Sequence, residues 1–296
     1  MQSKKTIQET AYAKINLGLA ILGRRDDGYH EVSMVMQSVA LCDEVLVSAG
    51  SGDGASTCIE IVTDVPGLSC GSDNLAYKAA ALLAKYAGKI PNVRIELRKK
   101  IFLAAGLAGG SADAAATLRA LNRFWRLQLT LAELKALAAQ LGSDVPFCIE
   151  GGTALAKGRG EIIEQLPDLP QAAVVLAKPR NLEVSTAWVY KNYNPGRVIN
   201  NPKIWRLIDM LPMGARACVP YMGNVLETVT IPAHPVIAQI KAAMLGAGAY
   251  CAMMSGSGPT VFALAENRET AGKIVAALND FDVETSVTVT AGRRVL

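Results

Sequence analysis

Ala104-Ala105-Gly106-Leu107-Ala108-Gly109-Gly110-Ser111-Ala112-Asp113 is the stretch on which the reading of this chain turns. Before it, Val93, Ile95 and Leu97 interleave with Arg94, Glu96 and Arg98, the period of a half-buried strand. After it, residues 112–122 read as a helix. Small residues between a strand and a helix let backbone N–H groups close around an anion, and the helix N-terminus adds partial positive charge. The dipole alone contributes roughly 0.3–2 kcal/mol, so a firm grip on phosphate needs several loop N–H groups together. The stretch is not a Walker A loop, because no Lys-Ser or Lys-Thr follows its last glycine; GxGxxG is absent as well. Read alone, it serves equally well as a phosphate cradle or as a tight strand–helix turn whose glycines are there for packing.

Working outward, residues 12–21 read as a strand with Ala13, Ile15, Leu17 and Leu19 on one face and Lys14 and Asn16 on the other. Residues 32–47 hold one or two more strands. Residues 73–86 predict a helix capped by Ser72 or Asp73, with Leu75, Ala79, Leu82 and Tyr86 on its stripe and Gly88 beyond its end. Thr130 and Glu133 form a capping box for a helix reaching Leu141 and stopped by Gly142. Short strands follow at residues 153–157 and on either side of Gly160. Prolines gather at residues 166–170, and a boundary is placed there, between domains 1–167 and 168–296. The later segment reads strand (172–177), helix (184–190), further helices ending with 235–245, strands (250–254 and 260–264), helix (269–278) and strand (283–290). That order approaches a βαββαβ, ferredoxin-like plan with helices inserted. The expected class is α+β.

Composition narrows the function classes. Of 296 residues, 51% are hydrophobic and 19% charged, enough to fill a core and exclude long disorder. A formal charge of +4 is too weak and dispersed for a dedicated nucleic-acid binder, yet it tolerates an anionic substrate. Six cysteines without a CxxC pair, and only His30 and His234, argue against a structural zinc or a His-rich metal site. Scattered thiols fit a reducing, cytoplasmic compartment. Residues 1–14 lack the apolar run of a signal peptide. The uncharged run 242–265 is broken by Ser255-Gly256-Ser257-Gly258-Pro259, so it reads as two buried strands around a glycine turn, with no membrane partner.

Four further segments carry candidate chemistry. In Gly142-Ser143-Asp144-Val145-Pro146-Phe147, a carboxylate is pinned between a helix-stopping glycine and a proline, beside apolar neighbours. Partial desolvation suits it to act as a general base; a turn aspartate accepting backbone hydrogen bonds is the commoner alternative. Lys14 shares a strand face with Asn16, suited either to a phosphate or carboxylate partner or to a surface ion pair. Asp27-Gly28 marks a turn that presents Tyr29 and His30; a lone histidine is more often structural. The turn from Met254 to Thr260 closes over a substrate oxygen or simply joins two strands.

Together these segments resemble the GHMP kinases, the superfamily of galactokinase, homoserine, mevalonate and phosphomevalonate kinases. Gly106 to Ser111 resembles the family's nucleotide loop. Ala13-Lys14-Ile15-Asn16-Leu17 with Gly28-Tyr29-His30, Gly109 to Ala115, and Gly142 to Pro146 look specifically like the branch whose acceptor is a methylerythritol carried on cytidine diphosphate. The matching segments run in order from Tyr12 to Leu264. The resemblance implies an N-terminal mixed α/β domain, a C-terminal ferredoxin-like domain and an active site in the cleft between them. It implies in-line transfer of the γ-phosphoryl group of ATP, with Mg²⁺, to the 2-hydroxyl of that acceptor in the non-mevalonate isoprenoid route. Asp144 would take the hydroxyl proton; Lys14 would orient it and offset growing charge. Leu103, Ala104, Ala105, Gly106, Leu107, Ala108, Gly109, Gly110 and Ser111 would cradle ATP, with Asn74 and Lys99 near the nucleoside. Asn16, Tyr29, His30, Thr186 and Tyr190 would hold the cytidine end, with Tyr29 and Tyr190 sandwiching the base.

Two positions depart from the family pattern. Ile101-Phe102 stands where Ile-Pro is usual, and Ser111-Ala112 where Ser-Ser is usual. No dedicated metal carboxylate is recognisable, so Mg²⁺ would ride on ATP oxygens and water. The expected assembly is a monomer or homodimer with a small-molecule substrate and no nucleic acid. The competing readings are a GHMP kinase whose substrate lacks a nucleotide handle, and a non-catalytic nucleotide- or RNA-binding module. A pocket shared by Tyr29, His30 and Tyr190 separates the cytidine reading from the first.

Overall fold

Long strand pairing organises the first half of the chain. The computed structural model describes residues 6–52 and 56–294, so residues 1–5 of the stretch 1–14 read for a leader lie outside the described ones. β1 (Ile7–Arg24) and β2 (His30–Ala49) pair antiparallel along nearly their whole length. β1 extends well past its expected limits of 12–21, β2 by two residues at each end of 32–47, and the segment read as one or two strands is a single one. β3 (Cys58–Thr63), not anticipated, runs parallel to β4 (Asn92–Arg98), which pairs with the second half of β2. β5 (Thr153–Lys157) pairs with the first half of β2 and with β6 (Ile162–Gln165).

Helices cover this sheet. α1 (Leu75–Tyr86) is capped by Asn74, whose Oδ1 accepts from the Ala76 N–H at 2.8 Å, rather than by Ser72 or Asp73. Its buried stripe is Ala76, Ala79, Ala80, Leu83 and Ala84, while Tyr86 of the expected stripe is exposed. The small alanines let the helix approach its neighbours closely, which the larger side chains would prevent. α2 (Gly109–Trp125) begins three residues before the expected start and buries Ala112, Ala114, Ala115, Ala116 and Ala120 against β1, β2 and α1. α3 (Leu131–Ala138) carries the expected Thr130–Glu133 capping box. α4 (Val145–Glu150) is a short, wholly buried helix with Pro146 in its first turn.

The chain then enters the second layer through β7 (Ala173–Pro179). α5 (Thr186–Lys191), α6 (Ile204–Met210) and α7 (Ala215–Cys218) follow. β8 (Gly223–Asn224) returns to the first sheet, parallel to β1. α8 (Glu227–Ala233) and α9 (Val236–Gly246) lead to β9 (Cys251–Met254), β10 (Val261–Ala265), α10 (Arg268–Ala276) and β11 (Val283–Val289). The second sheet is antiparallel with order β11-β7-β10-β9. This is the ferredoxin-like order, with α5 to α9 in the first crossover. The uncharged run 242–265 therefore begins in α9 rather than in a strand. Among the described residues, no helix is long and apolar enough to cross a membrane, and all six cysteines are free.

Candidate active site

Lys14 is the hub of the cleft. It sits mid-way along β1, a central strand, and both it and Asn16 are buried. The β1–β2 register shifts between Tyr12 and Lys14 and again between Asn16 and Gly18. Such bulges release a residue from the ladder and re-aim it. Here the freed Lys14 N–H donates to the Leu107 carbonyl at 3.1 Å. Its ammonium donates to Asn16 Oδ1 at 2.9 Å and to the Gly106 carbonyl at 3.0 Å. The Asp144 carboxylate lies 3.6 Å away.

Asp144 reaches that point because α4 starts directly after it. It occupies the N-cap position without making a cap hydrogen bond, which leaves its carboxylate free for the cleft. Its side chain is 31% exposed, so the carboxylate is open to a reactant while its base packs beside buried Val145 and Phe147. Cys148, one turn on, has its thiol pushed up to about 12, by burial first and by Asp144 second, so it stays protonated.

The glycine-rich loop forms the cradle. Ala104, Gly106 and Ala108 all have positive φ, at 48°, 73° and 58°. Ala108 caps α2 with no side-chain hydrogen bond, leaving the first N–H groups of the helix directed at the cleft. The turn after β9 closes the far wall: Ser255 Oγ donates to the Gly106 carbonyl at 3.0 Å, and Gly256 passes close to Lys14. Asn224 of β8 donates to the Met254 and Gly256 carbonyls at 2.9 and 2.7 Å, tying that turn to the first sheet. Thr186 and Ser257 share a 2.8 Å hydrogen bond across the mouth.

An aromatic group lies at the other end. His30 stands 5.5 Å from Tyr190 and, edge-on, 6.1 Å from Tyr193. Burial, helped by Arg24, lowers the His30 pKa, which favours neutral imidazole with one donor and one acceptor nitrogen. Burial and the Asp144 charge raise the Tyr190 phenol. Tyr29 is exposed, with the Arg159 guanidinium 5.4 Å from its ring centre. Tyr29, His30 and Tyr190 line one cavity of about 1430 Å³ with Lys14, Asp144 and the cradle. The same cavity receives Asn16, Lys99, Leu103, Ala104, Ala105, Gly106, Ala108, Gly109, Gly110, Ser111 and Thr186.

Two expected residues lie off its wall. Leu107 is buried and contributes its carbonyl to Lys14. Asn74 is engaged as a cap: its amide also donates to the Ser69 carbonyl at 2.7 Å. Lys99 lines the cleft, but its ammonium is held between Asp43 and Asp113, the latter at 2.5 Å. Phe102 lines the cleft beside the cradle, nearly buried. Sequence reasoning missed Asp43, Asn224, Arg159 and Tyr193. Only Arg159 carried a usable signal, a cation in the glycine-flanked turn Gly158-Arg159-Gly160.

Comparison with known proteins identifies the family. Residues 74–152 match the GHMP kinases N terminal domain and residues 213–283 the GHMP kinases C terminal. A 4-diphosphocytidyl-2-C-methyl-D-erythritol kinase of Acaryochloris marina is 45% identical, covering 94% of each chain. The corresponding kinase of Acetivibrio thermocellus is 43% identical over 97% of this chain and 99% of its own. A crystal structure of 4-(cytidine 5'-diphospho)-2C-methyl-D-erythritol kinase superposes with a TM-score of 0.81 at 34% identity, covering 97% of this chain and 100% of that one. Homoserine kinase from Cytophaga hutchinsonii shares the fold, with a TM-score of 0.73 at 23% identity, over 99% of this chain and 97% of its own. With that identity sustained across both halves, the chain belongs to the GHMP kinase family, in its 4-diphosphocytidyl-2-C-methyl-D-erythritol kinase branch.

Proposed function

We propose that the cleft transfers the γ-phosphoryl group of ATP to the 2-hydroxyl of 4-diphosphocytidyl-2-C-methyl-D-erythritol, with Asp144 as general base and Lys14 as its partner. The observation that carries this reading is the meeting of Lys14, Asp144 and the Gly106 carbonyl within hydrogen-bond or ion-pair reach. Phosphoryl transfer asks the protein mainly for alignment and charge compensation. Lys14 supplies both: its bonds to Asn16 and Gly106 fix the ammonium between the carboxylate and the cradle. A hydroxyl presented to Asp144 would therefore face a phosphate held on the N–H groups of Gly109, Gly110 and Ser111.

The cytidine handle is read at the opposite end. Neutral His30 offers a donor and an acceptor to a base edge, and Tyr29 and Tyr190 offer stacking faces, each worth roughly 1–3 kcal/mol by analogy with base–aromatic stacking. Arg159 faces the same ring from the first sheet and adds positive charge where a diphosphate would pass. Mg²⁺ would enter with the nucleotide, as one or two oxygens beside ATP phosphates and water suffice for it. The ion would be carried on ATP oxygens and water, supplying charge compensation there. We place the enzyme in the cytoplasm, as a monomer or homodimer, with domains divided near residue 167.

The test is a coupled ADP-release assay with the cytidyl acceptor, mevalonate and homoserine as competing substrates. Turnover is expected with the first alone. Asp144→Asn is expected to lower kcat by about 10²–10⁴-fold, the usual contribution of a positioned base, while both substrates still bind in calorimetry. Full activity in that variant removes the general-base role.

A further inference from the structure

Lys178 is a buried lysine that phosphoryl transfer does not use. It lies on β7, only 5% exposed. Among the described residues its side chain has no hydrogen bond, and no carboxylate comes within 4.0 Å of its ammonium. The other lysines with comparably buried side chains are answered: Lys14 by Asp144, and Lys99 by Asp43 and Asp113. The stem of Lys178 is buried while its ammonium keeps contact with water, so the charge opens on the neighbouring cavity, free to meet an anion there.

The space beside Lys178 suits such an anion. Lys178 lines a cavity of about 360 Å³, separate from the cleft, with Lys99, Lys100, Ile101, Leu103 and Arg180. Lys100 leans toward Glu44 at 3.6 Å, and Arg180 toward Asp282 at 3.6 Å, both on the exposed side. Glu183 and Glu284 share the wall. Glu284 stands opposite Lys178 in the β7–β11 register, yet makes no ion pair with it.

We propose that this cavity is a second anion site that takes one phosphate group, with Lys178 as its main charge and Arg180 at its rim. Lys99, Ile101 and Leu103 also line the catalytic cleft, so an anion held here rests against the strand end that leads into the nucleotide loop. The inference does not depend on the identity of the acceptor.

The phosphate group could be free or could belong to a nucleotide, so the cradle is filled first with a non-hydrolysable ATP analogue. Inorganic phosphate is then titrated into the full chain by calorimetry, with chloride holding ionic strength constant. Saturable binding of one phosphate is expected. Lys178→Met should weaken it at least tenfold, Glu284→Gln should tighten it, and Lys273→Gln on distant α10 should leave it unchanged. Retained binding of the ATP analogue by Lys178→Met shows that the variant is folded. The site is refuted if phosphate fails to saturate the wild type, if Lys178→Met binds it equally well, or if phosphate binds only when the cradle is empty.

Discussion

Gly106 has no room for a side chain. A Cβ there would fall 2.3 Å from the Ser255 carbonyl oxygen and 3.0 Å from that of Gly258, both backbone atoms that cannot swing aside. Its φ of +73° adds a second objection to any L-residue. The carbonyl of the same residue accepts from Lys14 and from Ser255, so a shift at Gly106 moves the ammonium that faces Asp144. Gly106→Ala should therefore cost about 1–3 kcal/mol in stability through backbone strain. It should also lower kcat by more than the folded fraction falls. Chemical denaturation alongside single-turnover rates separates the two effects; wild-type values for both would show that the loop tolerates a Cβ. Lys14 makes the complementary point. Its alternation with Ala13 and Ile15 was plain, but the bulges that point it into the cleft leave no pattern in a single sequence.

At the scale of elements, α2 and the bend after β4 are joined by a buried charge cluster. Asp43 Oδ1 accepts from the N–H groups of Lys100 and Ile101, at 2.5 and 2.8 Å, and its other oxygen pairs with Lys99. Asp113 of α2 holds Lys99 from the other side, and its second oxygen is buried without a partner. Two carboxylates around one ammonium favour keeping a proton. The Asp113 carboxyl is pushed up to about 7, by burial above all, with Asp43 adding to the rise and Lys99 opposing it. Unfolded, the group has its ordinary value of 3.8. Between these values the folded chain holds a proton that the unfolded chain releases. The stabilisation is complete below the lower value and is lost as pH rises through the upper one. Asp113→Asn should remove this slope: relative to wild type, its unfolding free energy should improve from about pH 4 to about pH 7. A constant difference across that range would mean that Asp113 does not titrate there. The elements themselves were legible where the signal is local. The alternation of β4, the Thr130–Glu133 box and the order of the second sheet follow from period and capping. α4 was missed because six residues are too few to show a helical period, and the buried face of α1 was misjudged because alanine carries little hydrophobic signal.

The whole molecule joins two sheets, at the end of β11 beside Val39 and at a seam beside the cleft. Asn224, on the two-residue β8, donates to the Met254 and Gly256 carbonyls, while its Oδ1 accepts from the Leu226 N–H at 3.0 Å. A side chain on the first sheet thus holds the turn that closes the cleft from the second. Nothing in the sequence marks it, since its partners lie about thirty residues away and are backbone atoms. The amide is nearly buried, so removing it leaves two carbonyls and one N–H without partners in a place water does not readily reach. Asn224→Ala should cost about 1–3 kcal/mol for each group that stays unsatisfied. Because Gly256 passes close to Lys14, the loss should also appear at the active site, as a fall in kcat with little change in the cytidyl acceptor's KM. The ring contacts expected for the acceptor, Tyr29, His30 and Tyr190, share no hydrogen bond with this turn among the described residues, whereas Thr186 meets it through Ser257 at 2.8 Å. If Asn224→Ala raised that KM and left kcat intact, the seam would be orienting the base pocket instead of the reacting end, and the division of labour between the two ends of the cleft would have to be redrawn.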